Sequence, residues 1–249
     1  MRIRHKQFVL LSGGLDSATV LYHVLGHTPD GFGNLDMIDF PEAISIDYGQ
    51  RHSKELTYAK ELARIALSPE SHIILKMPDL LKGAMLTSET AEIPAVSYAD
   101  LPHGISPTYV PFRNGLMLSM LAAHAQKWTG GITDREKDAG YARHATIYIG
   151  AHAEDASNDA YPDCSLAFMK AMTEAINIGT YGSVSLSAPL IGLQKSEVVA
   201  MGHAMGVPFG HTWSCYKGLD LHCGVCPTCR ARKEAFQKVG IEDPTVYAA

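Results

Sequence analysis

The sequence predicts a doubly wound α/β fold built around a five-stranded parallel sheet. Five apolar runs rich in β-branched residues are spread along the chain, and helical patterns of about ten to fifteen residues separate them. A glycine-rich turn follows the first run directly. Because strands that alternate with helices form βαβ units, and such units build parallel sheets covered on both faces, these observations favour the α/β class.

The five strands are predicted at residues 7–11, 43–47, 72–76, 146–150 and 183–187. The helices are predicted at residues 18–25, 53–67, 114–128, 165–178 and 195–205. Apolar residues recur at helical spacing in the second helix, for which Ser53 is the expected N-cap. The third helix is apolar nearly all round and is expected to be buried on more than one side. Three segments, 26–42, 87–108 and 129–144, show little periodicity and are expected to be loops.

Length and composition limit what the chain can be. Its 249 residues are 46% hydrophobic and 19% charged, which suits one soluble α/β domain with a small appendage. No apolar run approaches the ~20 residues that span a bilayer, so the sequence predicts a cytoplasmic protein with no membrane partner. The net charge of −5 and the scattered basic residues weigh against a nucleic-acid partner and favour a small-molecule substrate.

The most informative segment is Ser-Gly-Gly-Leu-Asp-Ser at residues 12–17, between the first predicted strand and the first predicted helix. Its two glycines let the backbone turn sharply and approach a ligand, and the amides that open the helix favour negative charge. Ser12 and Ser17 add hydroxyl donors. The segment lacks the lysine and the length of a Walker loop, so it predicts a phosphate-binding loop of another kind. The alternative is an ordinary glycine-rich turn.

A cysteine cluster follows the last predicted helix. It consists of Cys215, Cys223, Cys226 and Cys229. In a cytosolic chain this spacing indicates metal ligation, and four thiolates suit a closed structural Zn²⁺ site, with an iron–sulfur cluster as the rival. We therefore expect a nucleotide-binding α/β domain over residues 1–210, and over residues 211–249 a zinc-bound lobe with a C-terminal helix packed on it. Cys164 stands apart and is interpreted as a helix-start residue rather than a nucleophile.

Five motifs together resemble those of the 7-cyano-7-deazaguanine synthases, a family within the ATP pyrophosphatases. They are the loop at 12–17, Asp-Tyr-Gly-Gln-Arg-His at 47–52, Tyr-Val-Pro-Phe-Arg-Asn at 109–114, Tyr-Pro-Asp-Cys at 161–164, and Thr-Trp-Ser-Cys-Tyr at 212–216 with the later cysteines. They occur in the family's order over nearly the whole chain. Phe112 is a departure, because many members have glycine there, and its ring is expected to reshape the substrate wall.

The resemblance implies an adenine-nucleotide α-hydrolase-like fold and a ligase that converts 7-carboxy-7-deazaguanine and ammonia into the nitrile, by way of the amide, with ATP. It further implies Mg²⁺, one structural Zn²⁺ per chain, and a homodimer. The chemistry agrees with the residues. A carboxylate is a poor electrophile, adenylation gives it a good leaving group, and a phosphate-binding loop supplies the positioning and charge stabilisation that adenylation needs.

The resemblance also assigns residues to roles. The nucleotide is expected to contact Leu11, Ser12, Gly13, Gly14, Leu15, Asp16, Ser17, Ala18, Thr19, Val20 and Leu21, and the expected catalytic residues are Asp16, Ser17, Lys195 and Arg113. Lys195 is expected to neutralise the leaving pyrophosphate. Asp16 is expected to bind metal or brace the loop, although it could also be only a helix cap.

Six residues are expected to bind the substrate: Arg51, His52, Asn114, Asp155, Tyr161 and Asp163. A deazaguanine presents N1–H and its exocyclic amine as neighbouring donors, and one carboxylate accepts from both. Asp155 and Asp163 are the two candidates for this contact, and Tyr161 is expected to stack on the base. Asp163 could instead cap the helix that begins at Ser165, and Arg51 and His52 could be solvated surface residues.

Other functions stay open at this point. Within the enzymes they are a variant that stops at the amide, another ligase with the same loop, and a tRNA thiolase. A thiolase needs cysteines beyond the metal site and a basic surface, and here only Cys164 is spare. The non-enzyme alternative is a zinc-ribbon binding module with an inactive ATP loop, against which the intact loop argues.

Overall fold

The computed structural model describes residues 2–26, 35–50, 54–77, 81–88, 90–100 and 104–248. Its centre is a parallel sheet of strands β1 (Arg2–Leu10), β2 (Leu35–Ile38), β3 (Glu42–Asp47), β4 (His72–Lys76), β5 (Tyr141–Tyr148) and β6 (Val184–Ser187). Five of these strands lie in the order β4-β3-β1-β5-β6, and every pairing among the described strands is parallel. The five-stranded parallel sheet that the sequence predicts is confirmed.

The short strand β2 was not predicted, and it lies in the segment 26–42 that we expected to be a loop. It pairs with the start of β1, where Ile3 lies opposite Leu35. β3 pairs with the end of β1 on the same side, where Phe8 lies opposite Glu42. β2 and β3 therefore follow one another along a single edge of β1.

The amino-terminal halves of β1 and β5 were not predicted as strands, because they carry charged side chains and the prediction relied on apolar runs. Guanidinium nitrogens of Arg4 and Arg143 lie 3.0 and 2.7 Å from the carboxylate of Glu136. Glu136 belongs to α4 (Asp134–Asp138), a single charged turn. The segment 129–144, which we expected to be a loop, is therefore a short helix followed by the start of a strand that ion pairs hold in place.

The remaining helices are α1 (Leu15–Gly26), α2 (Lys54–Ala66), α3 (Arg113–Gly130), α5 (Leu166–Gly179), α6 (Lys195–Ala204) and α7 (Pro227–Lys238). The five predicted helices are present as α1, α2, α3, α5 and α6, with ends that differ by a few residues. Ser53, the expected N-cap of α2, lies outside the described residues. Within the described part of the chain, no helix is both long and apolar enough to cross a membrane.

Helices cover both faces of the sheet. Along β1, Phe8 and Leu10 pack on the side of α3 and α5, whereas Val9 packs on the side of α1, α2 and α6. Ala235 and Phe236 of α7 join the second of these cores, so a domain boundary at residue 210 stays a prediction. Because the described strands are parallel, the turns that follow them meet at one edge of the sheet, where ligands gather in open α/β sheets.

Candidate active site

A cleft of about 670 Å³ opens at the carboxyl edge of the sheet. Residues that follow β1, β3 and β5 line it, together with the starts of α3 and α6. The segment from Trp213 into α7 forms a further wall. The cleft therefore brings together parts of the chain that are far apart in sequence.

The loop at residues 12–17 is a preformed cradle at the start of α1. The Ser12 and Ser17 hydroxyl oxygens lie 3.0 Å apart, and the Ser12 amide donates to the Ser17 oxygen at 3.2 Å. Gly13 has a φ of +85°, and a Cβ on it would lie 2.8 Å from the Ala59 backbone nitrogen, so only glycine fits this turn. The helix N-terminus behind the loop makes it suited to bind an anion.

The structure divides the residues expected at the nucleotide into two groups, with Gly13 apart from both. Leu11, Ser12, Gly14, Leu15, Asp16 and Ser17 line the cleft. Ala18, Thr19, Val20 and Leu21 are fully buried in the core behind it. Gly13 lies on the α2 side of the loop. The second group therefore supports the loop from behind, and its side chains have no access to a ligand in the cleft.

Asp16 and Lys195, two of the expected catalytic residues, form an ion pair. Asp16 Oδ2 lies 2.5 Å from Lys195 Nζ, and Asp16 Oδ1 is buried without a hydrogen-bond partner among the residues that the structure describes. Burial opposes the charge of Asp16, but Lys195 and His152 outweigh it and hold the pKa of this carboxyl below its usual value. One oxygen of an ionised carboxylate is therefore available to a cation.

Sequence reasoning missed His152, which joins this pair to Asp155. The His152 Nε2 atom lies 3.2 Å from Asp155 Oδ1, 3.3 Å from Lys195 Nζ and 3.9 Å from Asp16 Oδ1. Burial raises the pKa of Asp155, although His152 and Lys195 oppose the shift. The signal for His152 was its position just after β5, on the edge where the other cleft residues collect.

Arg113 opens α3 beside two residues that sequence reasoning also missed. Its Nη1 donates to Tyr48 Oη at 3.2 Å, and its guanidinium carbon lies 5.5 Å from the centre of that ring. Glu55 lines the same cleft, and burial raises the pKa of Glu55 to about 7 with Arg113 opposing the shift. Tyr48 belongs to the motif at 47–52, and Glu55 follows it by three residues. Arg51 and His52 of that motif lie outside the described residues, and their roles stay predictions.

Asp163 is not among the residues that line the cleft. It is 4% exposed, and its Oδ2 accepts a hydrogen bond from the Asn114 amide at 2.9 Å, so it caps α3. The Asn114 side chain donates to Cys164 Sγ at 3.1 Å. The cap of α5 is instead Ser165, whose hydroxyl accepts from the Phe168 amide at 3.1 Å. Asp163 thus serves a different helix from the one we had considered.

Tyr161 lines the cleft and is anchored through its hydroxyl. That oxygen lies 2.5 Å from Thr108 Oγ1 and 3.2 Å from Ser106 Oγ. Its ring meets the ring of Tyr98 at 6.2 Å in an edge-on arrangement. The Tyr98 hydroxyl lies 3.1 Å from that of Tyr216. These tyrosines form an aromatic wall, of which the sequence indicated only Tyr161.

Phe112 does not reshape the cleft as expected. Its ring is absent from the lining, is 52% exposed, and lies edge-on to Phe168 at 5.7 Å. The ring covers Gly115 so closely that a Cβ there would overlap with it. Phe112 itself has a φ of +54°, in the left-handed region. The backbone turn before Arg113 is what aims this ring away from the cleft.

The four clustered cysteines converge on one point. Their sulfur atoms all lie within 4.8 Å of one another, and all four residues are buried. The amides of Lys217 and Cys223 each donate to Cys215 Sγ at 3.4 Å, and the Cys226 amide donates to Cys223 Sγ at 3.3 Å. Four sulfurs with amide donors form a closed donor set that could hold a metal ion, and thiolate sets of this kind suit Zn²⁺.

Comparison with known proteins agrees with this architecture. The model of the family described as queuosine biosynthesis protein QueC matches residues 6–240. The chain belongs to the QueC family. It is 36% identical to a 7-cyano-7-deazaguanine synthase from Nostoc sp., over 98% of this chain and 97% of that protein. It is 37% identical to a protein of the same name from Thermoplasma acidophilum, over 98% of this chain and 92% of that one.

Among solved structures, the QueC-family chain is similar to an NMN synthetase from Francisella tularensis. That match covers 99% of this chain and 79% of that one at 15% identity, with a TM-score of 0.35, and a likeness this weak carries no argument. Each of the five motifs that carry the family resemblance contributes residues to the cleft: the loop at 12–17, Tyr48 and Gln50, Arg113 and Asn114, Tyr161 and Cys164, and Trp213, Ser214 and Tyr216.

Proposed function

We propose that this protein is an ATP-dependent 7-cyano-7-deazaguanine synthase, a carbon–nitrogen ligase that converts 7-carboxy-7-deazaguanine and ammonia into the nitrile. The observation that carries the proposal is the shared cleft, in which the phosphate-binding loop and the aromatic wall with Asp155 line one space. Membership of the QueC family and the name of the curated relatives support it. A phosphate cradle and an aromatic wall in one cleft of about 670 Å³ suit the adenylation of a substrate carboxylate.

The loop is assigned to the β- and γ-phosphates of ATP. The amides at the start of α1 and the Ser12 and Ser17 hydroxyls provide the donors, and the Lys195 ammonium offsets the charge of the leaving pyrophosphate. Asp16 Oδ1 is buried without a hydrogen-bond partner among the described residues, so Asp16 would hold the Mg²⁺ ion that arrives with ATP, and the ion would supply positive charge against the phosphates. Lys195 holds Asp16 ionised for that contact.

The reaction proceeds in two adenylations that use the same loop. An oxygen of the substrate carboxylate attacks the α-phosphorus of ATP, the bond to the bridging oxygen breaks, and pyrophosphate leaves. Ammonia then displaces AMP from the acyl adenylate and loses a proton, which gives the amide. A second ATP adenylates the amide oxygen in the same way, and loss of AMP and of the protons on nitrogen leaves the nitrile. The protein contributes mostly positioning and charge stabilisation.

Asp155 is our choice for the carboxylate that reads the base. It lines the cleft and contacts His152, whereas the Asp163 carboxylate is turned to the α3 amide. Asp155 accepts from N1–H and the exocyclic amine of the deazaguanine, and the ring of Tyr161 supports the base. Asn114 and Arg113 lie at the start of α3 on the same cleft, where the arginine faces the negative charge of the substrate carboxylate.

The metal at the cysteine cluster is assigned as one structural Zn²⁺ per chain, because four buried thiolates leave no open position. The purified protein is expected to contain about one zinc per chain, and Cys226→Ser is expected to lower metal content and solubility together. Metal analysis by plasma mass spectrometry tests this. Iron with a visible absorption band would show that the cluster is an iron–sulfur site instead. The homodimer and the cytoplasmic location stay predictions.

The test of the function is incubation with 7-carboxy-7-deazaguanine, ATP, Mg²⁺ and ammonium. We expect the nitrile, with AMP and pyrophosphate as the nucleotide products. Release of ADP and phosphate would contradict adenylation, and accumulation of the amide would identify a variant that stops halfway. A protein that binds ATP without turnover under these conditions would be a binding module. Sulfur transfer to tRNA by the same protein would point to a thiolase.

A further inference from the structure

One residue, Trp213, joins the cysteine cluster to the phosphate-binding loop. Its backbone amide donates to the Gly13 carbonyl at 2.8 Å, and its indole Nε1 donates to the Cys215 carbonyl at 2.9 Å. The residue is 2% exposed, so both hydrogen bonds lie in the interior. Trp213 therefore contacts the turn of the loop through its backbone and the first cysteine of the cluster through its side chain.

Two parts of the chain pack around the Trp213 ring. The ring of Tyr58, in α2, lies 5.3 Å away, and the ring of His222, in the cysteine segment, lies 4.2 Å away. Lys54 Nζ lies 5.0 Å from the centre of the indole and 3.2 Å from the carboxylate of Asp220. The ring is thus fixed between α2 and the segment that carries the cysteines.

The same helix closes the opposite side of the loop. A Cβ on Gly13 would lie 2.8 Å from the backbone nitrogen of Ala59 in α2. The turn at Gly13 is therefore held between α2 on one side and the amide of Trp213 on the other. Movement of Trp213 would release the Gly13 carbonyl, and the orientation of the neighbouring amides that face phosphate would change with it.

The position of Trp213 depends on the cysteine cluster. From Trp213 to Cys226 the chain, which the structure describes throughout, forms no helix and only a single bridge, between His222 and Tyr247. Metal ligation supplies the folding energy of such segments. Fully buried Arg232 still holds the neighbouring Thr212 hydroxyl at 2.6 Å. Loss of the metal is therefore expected to loosen this segment rather than detach it.

We propose that Trp213 is a positioning residue that couples metal binding at the cysteine cluster to ATP affinity at the phosphate-binding loop. With metal bound, Trp213 keeps Gly13 in the form that binds phosphate, and without metal ATP binds more weakly. The proposal rests on the proposed function only in taking the loop as the ATP site. Coupling of this kind is reciprocal, so ATP tightens metal binding by the same factor.

The test uses Trp128→Phe protein, in which Trp213 is the remaining one of the chain's 2 tryptophans. A non-hydrolysable ATP analogue with Mg²⁺ is titrated before and after a chelator removes the metal, with calorimetry and Trp213 emission as readouts. We expect about tenfold weaker binding without metal, within the range typical of coupled sites, while far-UV circular dichroism retains the helices. In the reverse experiment, the analogue is expected to tighten metal binding about tenfold in a chelator competition.

A matched pair of variants in the metal-loaded protein tests the role of Trp213 even if the metal-free protein unfolds. Lys54→Met and Arg64→Met each remove a cation of α2 that pairs with a carboxylate, but only Lys54 contacts Trp213 and the cysteine segment. We expect Lys54→Met to weaken binding of the ATP analogue about threefold and Arg64→Met to leave its affinity unchanged. Equal effects of the two variants, or equal affinity with and without metal in a folded protein, would overturn the coupling. Wild-type protein that binds no analogue would instead contradict the proposed function.

Discussion

Charged side chains cluster at both ends of the parallel sheet, and the two clusters differ in how completely they are paired. At the amino ends of the strands, Glu42 accepts from Lys6 at 2.6 Å and from His124 at 2.9 Å, so each carboxylate oxygen has a partner. At the carboxyl ends, Asp16 pairs with Lys195 through one oxygen, and its other oxygen is buried with no hydrogen-bond partner in the described part of the chain. The sheet thus carries one satisfied cluster and one incomplete cluster.

This difference separates a structural from a functional use of buried charge. A buried polar atom without a partner costs stability, so a fold that keeps one is expected to use it. His152 Nδ1 is a second such atom, and it lies beside Asp16. At the amino end, by contrast, the Arg143 guanidinium holds the pKa of Glu136 well below its usual range. We infer that the cluster at the carboxyl ends of the strands awaits a ligand and that the cluster at the amino ends holds the sheet together.

The largest expected effect follows from removing the charge of Asp16. In Asp16→Asn the loop loses its proposed metal ligand and the charged partner of Lys195, so adenylation is expected to fall by about a thousandfold or more. Isotope exchange between pyrophosphate and ATP in the presence of 7-carboxy-7-deazaguanine measures this step alone. A decrease of less than about tenfold would mean that the unpaired oxygen has no catalytic use.

The same chemical change at the amino end is expected to act on stability instead. Glu42→Gln leaves Lys6 and His124 without their carboxylate, and the free energy of unfolding is expected to fall by about 3 kcal/mol. Urea denaturation measures the loss, and the exchange rate per folded molecule is expected to stay at the wild-type value. If Glu42→Gln slowed exchange as much as Asp16→Asn, the distinction between the two clusters would be lost.

Elements of the fold were predictable where local pattern and burial agree. α2 shows apolar residues at helical spacing, and Ala59, Leu62 and Ala63 are its buried residues. The start of β1 was not predictable, because Arg4 is held by Glu136, which lies far along the chain. No local pattern reports an ion pair between residues so distant, and such pairs stabilise the segments that we expected to be loops.

The site, too, contains features that could be predicted from local sequence and features that could not. The loop at 12–17 could be predicted, since its residue types determine its turn and its donors. The link from Trp213 to Gly13, and the capping of α3 by Asp163, are contacts between distant segments that only the folded chain forms. His152 is an intermediate case. Its position after a strand could be predicted from the sequence, but its contacts with the carboxylates of Asp16 and Asp155 could not.

Two aspartates near the cleft show the same contrast between a functional and a structural carboxylate, with smaller expected effects. Asp155 faces the cleft and is assigned to the base, so Asp155→Asn is expected to weaken 7-carboxy-7-deazaguanine binding by about ten- to a hundredfold, or about 1.5–3 kcal/mol. Asp163 is paired with the Asn114 amide, so Asp163→Asn is expected to lower the free energy of unfolding by about 1 kcal/mol and to leave base affinity unchanged.

Calorimetric titration of each variant with the base, and separately with a non-hydrolysable ATP analogue, distinguishes these outcomes. ATP affinity is expected to be unchanged in both variants. Weak base binding by Asp163→Asn with a normal melting temperature would return the role of base reader to Asp163. The pH dependence gives a further check, because burial raises the pKa of Asp155. As the pH is lowered, Asp155 is therefore protonated at a higher pH than an ordinary aspartate, and the affinity for the base is expected to fall at that higher pH.

The last expected effect concerns the response of stability to pH, through His5 in the amino half of β1. His5 is 2% exposed, its Nε2 lies 3.0 Å from Thr146 Oγ1, and its ring stacks on His144 at 5.6 Å. Burial, with a smaller contribution from His144, lowers the pKa of His5 from 6.5 to about 4. The folded chain therefore keeps this ring neutral at a pH where the unfolded chain has already bound a proton.

Because burial lowers the pKa of His5, the residue costs the fold nothing through protonation above pH 6.5, and stability is lost as the pH falls from 6.5 toward about 4, where the unfolded chain binds a proton that the folded chain does not. His5 is expected to contribute about 2 kcal/mol to the loss between neutral pH and about pH 4.5. His5→Gln removes the titration and keeps an amide that can bond to Thr146, so its free energy of unfolding should fall less steeply over this range. If the free energies of unfolding of the wild-type and His5→Gln proteins fell in parallel with pH, His5 would have the same pKa in the folded and unfolded chain. Its burial beside β5 would then carry no pH-dependent cost.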